Sequence, residues 1–448
     1  MKNRRELIEA VIHRLTAIEN KNKFVDTALE NLFANRSFLP QEKAIITELT
    51  HGALRWQGKI DWVLSVFLKE KAERLPPIIR RILRVAVYQI LENDRTIAAI
   101  VVNDSVSLAK KYGHSGLGSL TNAVLRRVVN QADDESIFPD LKSEPARHIS
   151  AVYSHPLWLV QRWLGFFPEN EVIEICQANN RRPEICLRVN QTKIDVHGLQ
   201  NKLRIEGIET HIETHIDNFL RVIGSAAFQT LPSYRQGWFQ PQDISAGLVV
   251  RLASPQAGSR ILDMCAAPGG KTTYFAELVH NQALVVAADV GFYKLRRLKQ
   301  NAQRLGLTCI HPLQADGRKF CTKGKFDLVL LDAPCSGSGT LSRRSDARLR
   351  KKPEDFEQLI HLQKKLILSA AELTEPGGVL VYSTCSIDPE ENEALIRWFL
   401  DQDSRFEVEN AVGFIPEKFV HDGFLRTLPH RHRADGAFAA RLRRHPAA

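Results

Sequence analysis

The stretch RILDMCAAPGGKTT, residues 260–273, decides how the rest of the chain is read. Arg260–Met264 is a short apolar run carrying Asp263 at its end, and Pro268-Gly269-Gly270 turns it into a helical segment. Strand, tight glycine turn and helix form the opening unit of an α/β layer. Outward from this unit the alternation repeats. Ala283–Asp289 (ALVVAAD), Cys309–Ala315, Phe326–Asp332 (FDLVLLD) and Val379–Ser383 (VLVYS) are further candidate strands. Between them lie helical patterns such as KLRRLKQNAQRLG (294–306) and FEQLIHLQKKLILSAAEL (356–373). Continuously apolar strands are buried on both faces, which calls for a mostly parallel sheet covered by helices. Four of the runs end in or just before an acid: Asp263, Asp289, Asp316 and Asp332. Ligands of open α/β sheets sit beyond the carboxyl ends of the strands, so this edge is the candidate site.

Two readings of Asp263–Thr273 compete. Gly270-Lys271-Thr272 is the ending of a phosphate-binding loop, but that pattern needs a glycine five positions before Gly270, where Cys265 stands. The other reading is the cofactor turn of a Rossmann-like methyltransferase, in which small residues let the backbone approach the methionine end of the ligand at a helix N-terminus. The missing glycine favours the second, and a plain structural turn is the bland alternative. Asp289, closing the next strand, can accept both ribose hydroxyls of an adenosine. Asp316 is placed to bind the adenine amino group, or else to cap the segment that follows it.

Two more segments carry chemistry. DAPCSGSGTLSRRSDAR (332–348) delivers Asp332, Pro334 and Cys335 from a strand into a glycine- and serine-rich loop, and GGVLVYSTCS (377–386) delivers Thr384 and Cys385 from another. A cysteine at a strand end is unremarkable alone, since buried cysteines serve as small hydrophobes. Two of them, each ending a strand of one sheet beside a cofactor pocket, point to a thiol nucleophile in polar surroundings. Cys265, Cys309 and Cys321 lack such pairing. Arg343, Arg344 and Arg348, with Arg350-Lys351-Lys352, are suited to phosphates; a solvated basic loop is the competing reading.

Before residue 130 the pattern is helical throughout, with Leu7, Val11 and Leu15, then Ile45, Leu49 and Leu54, at helical spacing. Pro76-Pro77 opens a helix (IIRRILRVAVYQIL), NDSVSLAKKYG reads as one closed by Gly113, and SLTNAVLRRVVN as one more. Arg80, Arg81, Arg84, Lys110, Lys111, Arg126 and Arg127 either face RNA or form a solvated surface. Residues 133–146 are polar and acidic and read as a linker. A short helix (156–166), an extended ICLRVN, a helix near Val196–Glu206 and strand-like FLRVIG then suggest a small α+β unit.

The chain has 448 residues, 44% hydrophobic and 25% charged, with a formal charge of +10. That size implies two or three domains, and the basic balance fits an anionic partner such as nucleic acid. The seven cysteines (with Cys176 and Cys186 completing the set) form no C-x-x-C pair, so neither a zinc site nor a disulfide framework is expected. The opening MKNRRELIEAVIHRL lacks a secretory apolar core, and apolar runs are broken by arginines, so a cytoplasmic protein with no membrane span is expected.

Taken together, DMCAAPGGKT, DAPCSGSGT and STCS resemble the NOL/NOP2/Sun family of RNA cytosine-(carbon 5) methyltransferases. GWFQPQDISAGLV (237–249) looks like that family's lead-in to its catalytic domain. LPHRHRADGAFAARLRR (428–444) looks like its closing element, with Pro429, His430, Asp435, Gly436 and Phe438 matching. LTHGALRWQGKIDWVL (49–64) and LTNAVLRRVV (120–129) resemble the RNA-binding domain of the antitermination factor NusB. The combination implies an all-α NusB-like domain over 1–135, a small α+β connecting domain over 148–235 and a Rossmann-like class I methyltransferase domain over 236–445. It implies S-adenosyl-L-methionine as cofactor, held by Cys265, Ala266, Ala267, Pro268, Gly269, Gly270, Lys271, Asp289 and Asp316, with Asp332 bordering the same pocket. Cys385 matches the nucleophile, Cys335 the residue that assists product release, and Asp332 the acid that binds the cytosine ring edge. The implied reaction is methylation of carbon 5 of a cytosine in 16S (small-subunit) ribosomal RNA through a covalent adduct at carbon 6, by a monomer acting on unassembled or early-assembly RNA. One departure is that DARLRKK lacks the bulky aromatic that family members carry after the loop's arginine and aspartate. A nucleotide hydrolase and a non-catalytic RNA-binding factor are the rival functions.

Overall fold

The computed structural model describes residues 3–447 apart from 22–23, 94–95, 132–133 and 225–226, and the chain forms two compact units. The first comprises Met1–Arg181 with Leu341–Lys351, and the second comprises Arg182–Thr340 with Lys352–Ala448.

The first unit is helical. Helices Arg4–Lys21, Val25–Asn35, Pro40–Arg55, Gln57–Phe67, Pro77–Leu91, Ala98–Tyr112 and Ser115–Asn130 bury their apolar stripes in one core, including the expected Leu7, Val11 and Leu15. Two arginines offered by the sequence for RNA contact are engaged here instead. Buried Arg81 donates twice to Glu19, and Arg84 bridges Asp61 and Glu19. The expected linker begins at Asp133, which lies outside the described residues, and its remainder is docked rather than loose. The Trp62 indole donates to Ile137 O at 2.9 Å, and Ile137 and Phe138 pack on the helical core. Two apolar residues in a polar stretch suffice to anchor it.

The segment Leu341–Lys351 leaves the second unit in sequence and packs in the first. Arg348 is fully buried there and donates to Asn180 Oδ1 at 2.8 Å, Asn179 O at 3.0 Å and Ser154 O at 3.2 Å. Burial foremost, with Arg55 nearby, lowers its guanidinium to about 9. The sequence offered Arg348 either to phosphates or to a solvated basic loop; its donors are instead spent inside the fold. Arg55 donating to Ser342 O and the His51–Ser345 hydrogen bond hold the same segment.

The second unit contains two sheets. The smaller, of strands β1 (Ile185–Val189), β2 (Thr210–Ile212), β3 (Phe219–Val222) and β4 (Phe239–Pro241), has order β2-β3-β1-β4 and is antiparallel. The larger is built from β5 (Arg260–Met264), β6 (Leu284–Asp289), β7 (Ile310–Gln314), β8 (Phe326–Asp332), β9 (Thr374–Thr384), β10 (Phe406–Glu409), β11 (Val420–His421), β12 (Phe424–Thr427) and β13 (Ala437–Arg444). Its order is β11-β12-β13-β9-β8-β5-β6-β7, with β10 also on β13. The β9-β8-β5-β6-β7 part is parallel, as the apolar runs required, while β10–β13 add antiparallel edges. Alternate residues feed two cores: Ile261, Leu330 and Val381 pack toward helices Ile244–Ala253, Gly270–Leu278 and Phe292–Leu305. Leu262, Leu331 and Tyr382 pack toward Pro353–Leu373 and Glu393–Gln402. Among the described residues no helix is long and apolar enough to cross a membrane.

Replacing Arg348 with Ala leaves three carbonyl oxygens without their buried donor. It should destabilise the first unit by about 3 kcal/mol and speed proteolysis within residues 341–351, whereas Arg344→Ala, at an exposed position, should do neither; urea unfolding and limited proteolysis read both.

Candidate active site

The register of the parallel strands brings the predicted residues to one edge. Asp263 stands opposite Leu330, Met264 opposite Ala288, and Asp332 opposite Ser383. After β5 the chain turns through Cys265 at φ 62° and Gly269 at φ 97° into helix Gly270–Leu278. The left-handed Gly269 is required twice over, because a Cβ there would also lie 2.5 Å from the Leu298 side chain. The turn is tied to β6: Ala266 N–H donates to Ala288 O at 2.9 Å and Ala267 N–H to Asp289 Oδ2 at 3.2 Å. Asp289 Oδ1 accepts from Gly291 N–H at 2.8 Å. Each carboxylate oxygen keeps a second lone pair, so Asp289 fits an incoming pair of hydroxyls while fixing the turn.

Behind the turn sits a residue that sequence reasoning missed. Arg188 of β1 is fully buried and donates to both oxygens of Glu277 at 2.8 Å, to Gly270 O at 2.7 Å and to Thr273 Oγ1 at 3.0 Å, and also to Gln242. It thereby ties the small sheet to the first turn of helix Gly270–Leu278. The available signal was a single charge inside the apolar run ICLRVN.

Lys271, in that helix, donates to Asp332 Oδ2 at 2.7 Å, and Ser383 Oγ donates to Asp332 Oδ1 at 2.9 Å. Burial pulls the Lys271 ammonium down, but the charge and hydrogen bond of Asp332 outweigh it and hold the group above its ordinary value; the Cys385 sulfur adds to this. Asp263 is buried beside them. Its Oδ2 accepts from Thr272 Oγ1 at 2.6 Å, while Oδ1 has no partner among the described residues. Burial pushes Asp263 up to about 7, against the pull of Thr272 and with help from the Asp332 and Asp289 charges.

Cys335 and Cys385 are brought together. Their Sγ atoms are 3.2 Å apart without a disulfide, and Cys385 N–H donates to Cys335 Sγ at 3.2 Å. The hydrogen bond to Cys385, then burial, then the neighbouring charges of Cys385 and Glu391, raise Cys335 well above an ordinary thiol. Cys265 lies in the turn, where burial foremost and the surrounding aspartates push it up to about 12. Cys176, Cys186 and Cys309 are buried elsewhere and Cys321 is exposed. Asp316 is not drawn into this cluster: two residues beyond β7, it accepts from Arg318 N–H at 3.0 Å and from the Arg318 guanidinium at 2.6 Å, which brings its carboxyl down to about 2. The local capping role weighed for it is therefore met, by a partner that a ligand would have to share or displace.

The family model for 16S rRNA methyltransferase RsmB/F matches residues 250–443, the NusB family model residues 2–130, and a ferredoxin-like domain model of RsmF/B-like methyltransferases residues 155–228. A probable ribosomal RNA small subunit methyltransferase B of Bacillus subtilis is 32% identical, over 97% of this chain and 98% of its own. Its counterpart in Synechocystis is 33% identical over 96% and 97%. Among solved structures, PH0851 aligns over 99% of both chains with a TM-score of 0.81 at 29% identity.

The raised Asp263 carboxyl predicts a pH dependence. Its folded form binds the proton more tightly than the unfolded chain, so its contribution to stability is full below the ordinary carboxylate range and is lost as pH rises to about 7. Melting temperatures of the ligand-free protein and of Asp263→Asn should diverge between about pH 4 and 7, with the wild type losing ground, and run parallel above that.

Proposed function

The chain belongs to the ribosomal RNA small subunit methyltransferase B family, and we propose that it transfers a methyl group from S-adenosylmethionine to carbon 5 of a cytosine in 16S ribosomal RNA through a covalent adduct with Cys385. The observation that carries this reading is the pair of sulfurs 3.2 Å apart at the ends of adjacent parallel strands, beside the Lys271–Asp332 pair.

The residues present suit the cofactor. The backbone of Cys265, Ala266, Ala267, Pro268, Gly269 and Gly270 would take its methionine end. The unpartnered Asp263 Oδ1 offers an acceptor to an ammonium group, and Asp289 offers acceptors to the ribose. Asp316 would meet the adenine once Arg318 yields. Bound there, S-adenosylmethionine supplies an electrophilic methyl group.

Carbon 5 of cytosine is a weak nucleophile until carbon 6 is attacked. Cys385 thiolate adds at carbon 6, forming a carbon–sulfur bond and pushing the electron pair of the 5,6 double bond toward carbon 5 and ring nitrogen 3. Lys271, kept as an ammonium beside Asp332, supplies positive charge where negative charge gathers on the ring edge. Cys335 Sγ lies within hydrogen-bond reach of the Cys385 sulfur, and its raised hold on a proton keeps it a thiol beside the attacking sulfur. After methylation, solvent water takes the carbon 5 proton, which restores the double bond and expels Cys385 from carbon 6, and the Cys335 thiol assists by giving its proton to the departing sulfur. The target base must leave its stack to reach such a pocket, which favours unassembled or early-assembly RNA over a finished particle. The same reading has the protein act as a monomer in the cytoplasm, with its NusB-like helices toward RNA.

Incubating the protein with unmodified small-subunit ribosomal RNA and labelled S-adenosylmethionine should yield labelled 5-methylcytidine by nucleoside mass spectrometry. Cys335→Ala should accumulate a protein–RNA adduct that resists denaturing gels, and Cys385→Ala should form none and be inactive. Normal methylation by both variants would return the chain to a non-catalytic RNA-binding role. An adduct in Cys385→Ala alone would exchange the two cysteines' parts.

A further inference from the structure

The two peptide units that flank Cys335 are held by side chains. Directly after Cys335, Ser336 N–H donates to Glu391 Oε1 at 2.8 Å. The same oxygen accepts from Gln363 Nε2 at 2.9 Å, and Gln363 Nε2 also donates to Pro334 O, directly before Cys335, at 3.0 Å. One carboxylate oxygen and one amide nitrogen thus clasp the peptide units on either side of the cysteine. Glu391 is itself seated from the neighbouring strand, since the buried Tyr382 hydroxyl of β9 donates to Glu391 O at 2.7 Å. Gln363 and Glu391 are both fully buried. Below the clasp, Ser336, Ser338, Ser386 and Asp388 form a second buried set, with Ser338 Oγ donating to Asp388 Oδ2 at 2.5 Å and Ser336 Oγ to Ser386 Oγ at 3.1 Å. That set fixes the two loops to each other but does not touch the backbone that flanks Cys335 on both sides.

Stability alone does not explain a carboxylate at this position. Glu391 Oε2 has no partner among the described residues, so the charge is buried with only one of its oxygens satisfied. That arrangement is costly. A glutamine could accept the same two hydrogen bonds through its single carbonyl oxygen without burying a charge.

We propose that Glu391 is a positioning residue for the second thiol: from its buried seat it holds the Pro334–Ser336 backbone, and with it Cys335, against Cys385. The proposal rests on the cysteine mechanism above only for its effect on turnover. The negative charge gives the seat a second consequence, because it disfavours ionisation of Cys335 and so keeps a proton on the sulfur that faces the nucleophile. Cys335 then stands as a thiol, in reach of Cys385 Sγ, when the carbon 5 proton leaves and the carbon 6–sulfur bond breaks.

Two variants separate the geometric and electrostatic parts. In Glu391→Gln the clasp persists and the charge is gone. Peptide-resolved alkylation by iodoacetamide at pH 8 should then label Cys335 about threefold faster or more, with cofactor binding and melting temperature maintained. In Glu391→Ala the clasp is lost, and the protein–RNA adduct should form but decay about tenfold more slowly or worse. A merely structural residue would instead lower the melting temperature, slow adduct formation and decay together, and leave Cys335 labelling in Glu391→Gln unchanged; that pattern overturns the proposal. Should Glu391→Ala fail to fold, Gln363→Ala, which opens the same clasp from the other side, takes its place in the adduct assay under the same criteria. Cys335→Ala is the positive control. If it traps no RNA, the cysteine mechanism itself has failed, and the alkylation rates alone decide whether Glu391 governs Cys335.

Discussion

The meeting of Cys335 and Cys385 depends on the parallel pairing of β8 with β9. Parallel ladders bring neighbouring strands to the same edge in step, and here Asp332 and Ser383 are opposite one another at that edge. The pairing continues one residue further, with Ala333 N–H donating to Ser383 O at 2.8 Å, so the two loops leave the sheet side by side. Two residues beyond, the cysteines meet. β13 completes the frame from the other side of β9, where Phe438 lies opposite Thr384. Just before β13, Gly436 N–H donates to Gly339 O at 2.8 Å, and a side chain on Gly339 would collide with Gly436 O at 2.2 Å. Gly339 N–H in turn donates to Cys385 O at 3.0 Å. A bulkier residue at either glycine would push apart the loops whose closeness makes two thiols a pair.

Burial gives the neighbouring acids different characters although they share one edge. Asp263 is buried and half satisfied, so its proton is held to about 7. Asp332 is partly open and paired with Lys271, and Asp289 is committed to two backbone N–H groups. Asp316 is about as exposed as Asp332 and is paired with Arg318, which keeps it ionised down to about 2. The Lys271 ammonium is set against Asp332 and the buried Asp263, and its retention of charge despite burial follows from that company. The site's electrostatics therefore come from which acids the sheet covers and not from how many it presents.

The strand ends were legible because chain-local pattern determines them. Arg260–Met264 and Phe326–Asp332 have the expected bounds, the run ending at Asp289 differs by one residue, and Val379–Ser383 is part of a longer strand that begins at Thr374 and ends at Thr384. The paired cysteines were legible for the same reason, as each ends an apolar run of one sheet. The antiparallel strands β10–β12 went unread because they are two to four residues long, too short for an apolar period to show. Arg188 and Glu391 were invisible for a stronger reason: each looks like an ordinary charge in its own segment, and its importance resides in contacts 89 and 55 residues away. The docked segment after residue 133 misled because composition averages over the two apolar residues that anchor it.

The charge balance shows the same limit in another form. A formal +10 suggested an anionic partner, yet many of the cations are structural. Arg81 and Arg348 are buried in the first unit, and Arg188, Arg441 and Arg444 in the second. Arg441 donates to Leu252 O and Ala253 O, and Arg444 to Ala371 O and Thr374 O, so these guanidinium groups close helix and strand ends that would otherwise leave carbonyls unpaired. A planar group with five donors is suited to this task as much as to a phosphate. Net charge therefore bears on nucleic acid only through the cations that stay in water. On helix Phe292–Leu305, Lys294, Arg296, Arg297 and Lys299 do so, on a segment with no acid of its own that begins directly after the Asp289 end of β6. The basic character that matters for a polyanion is thus a property of where the fold leaves its lysines and arginines exposed, and the sequence total counts those together with the cations that the fold has already used.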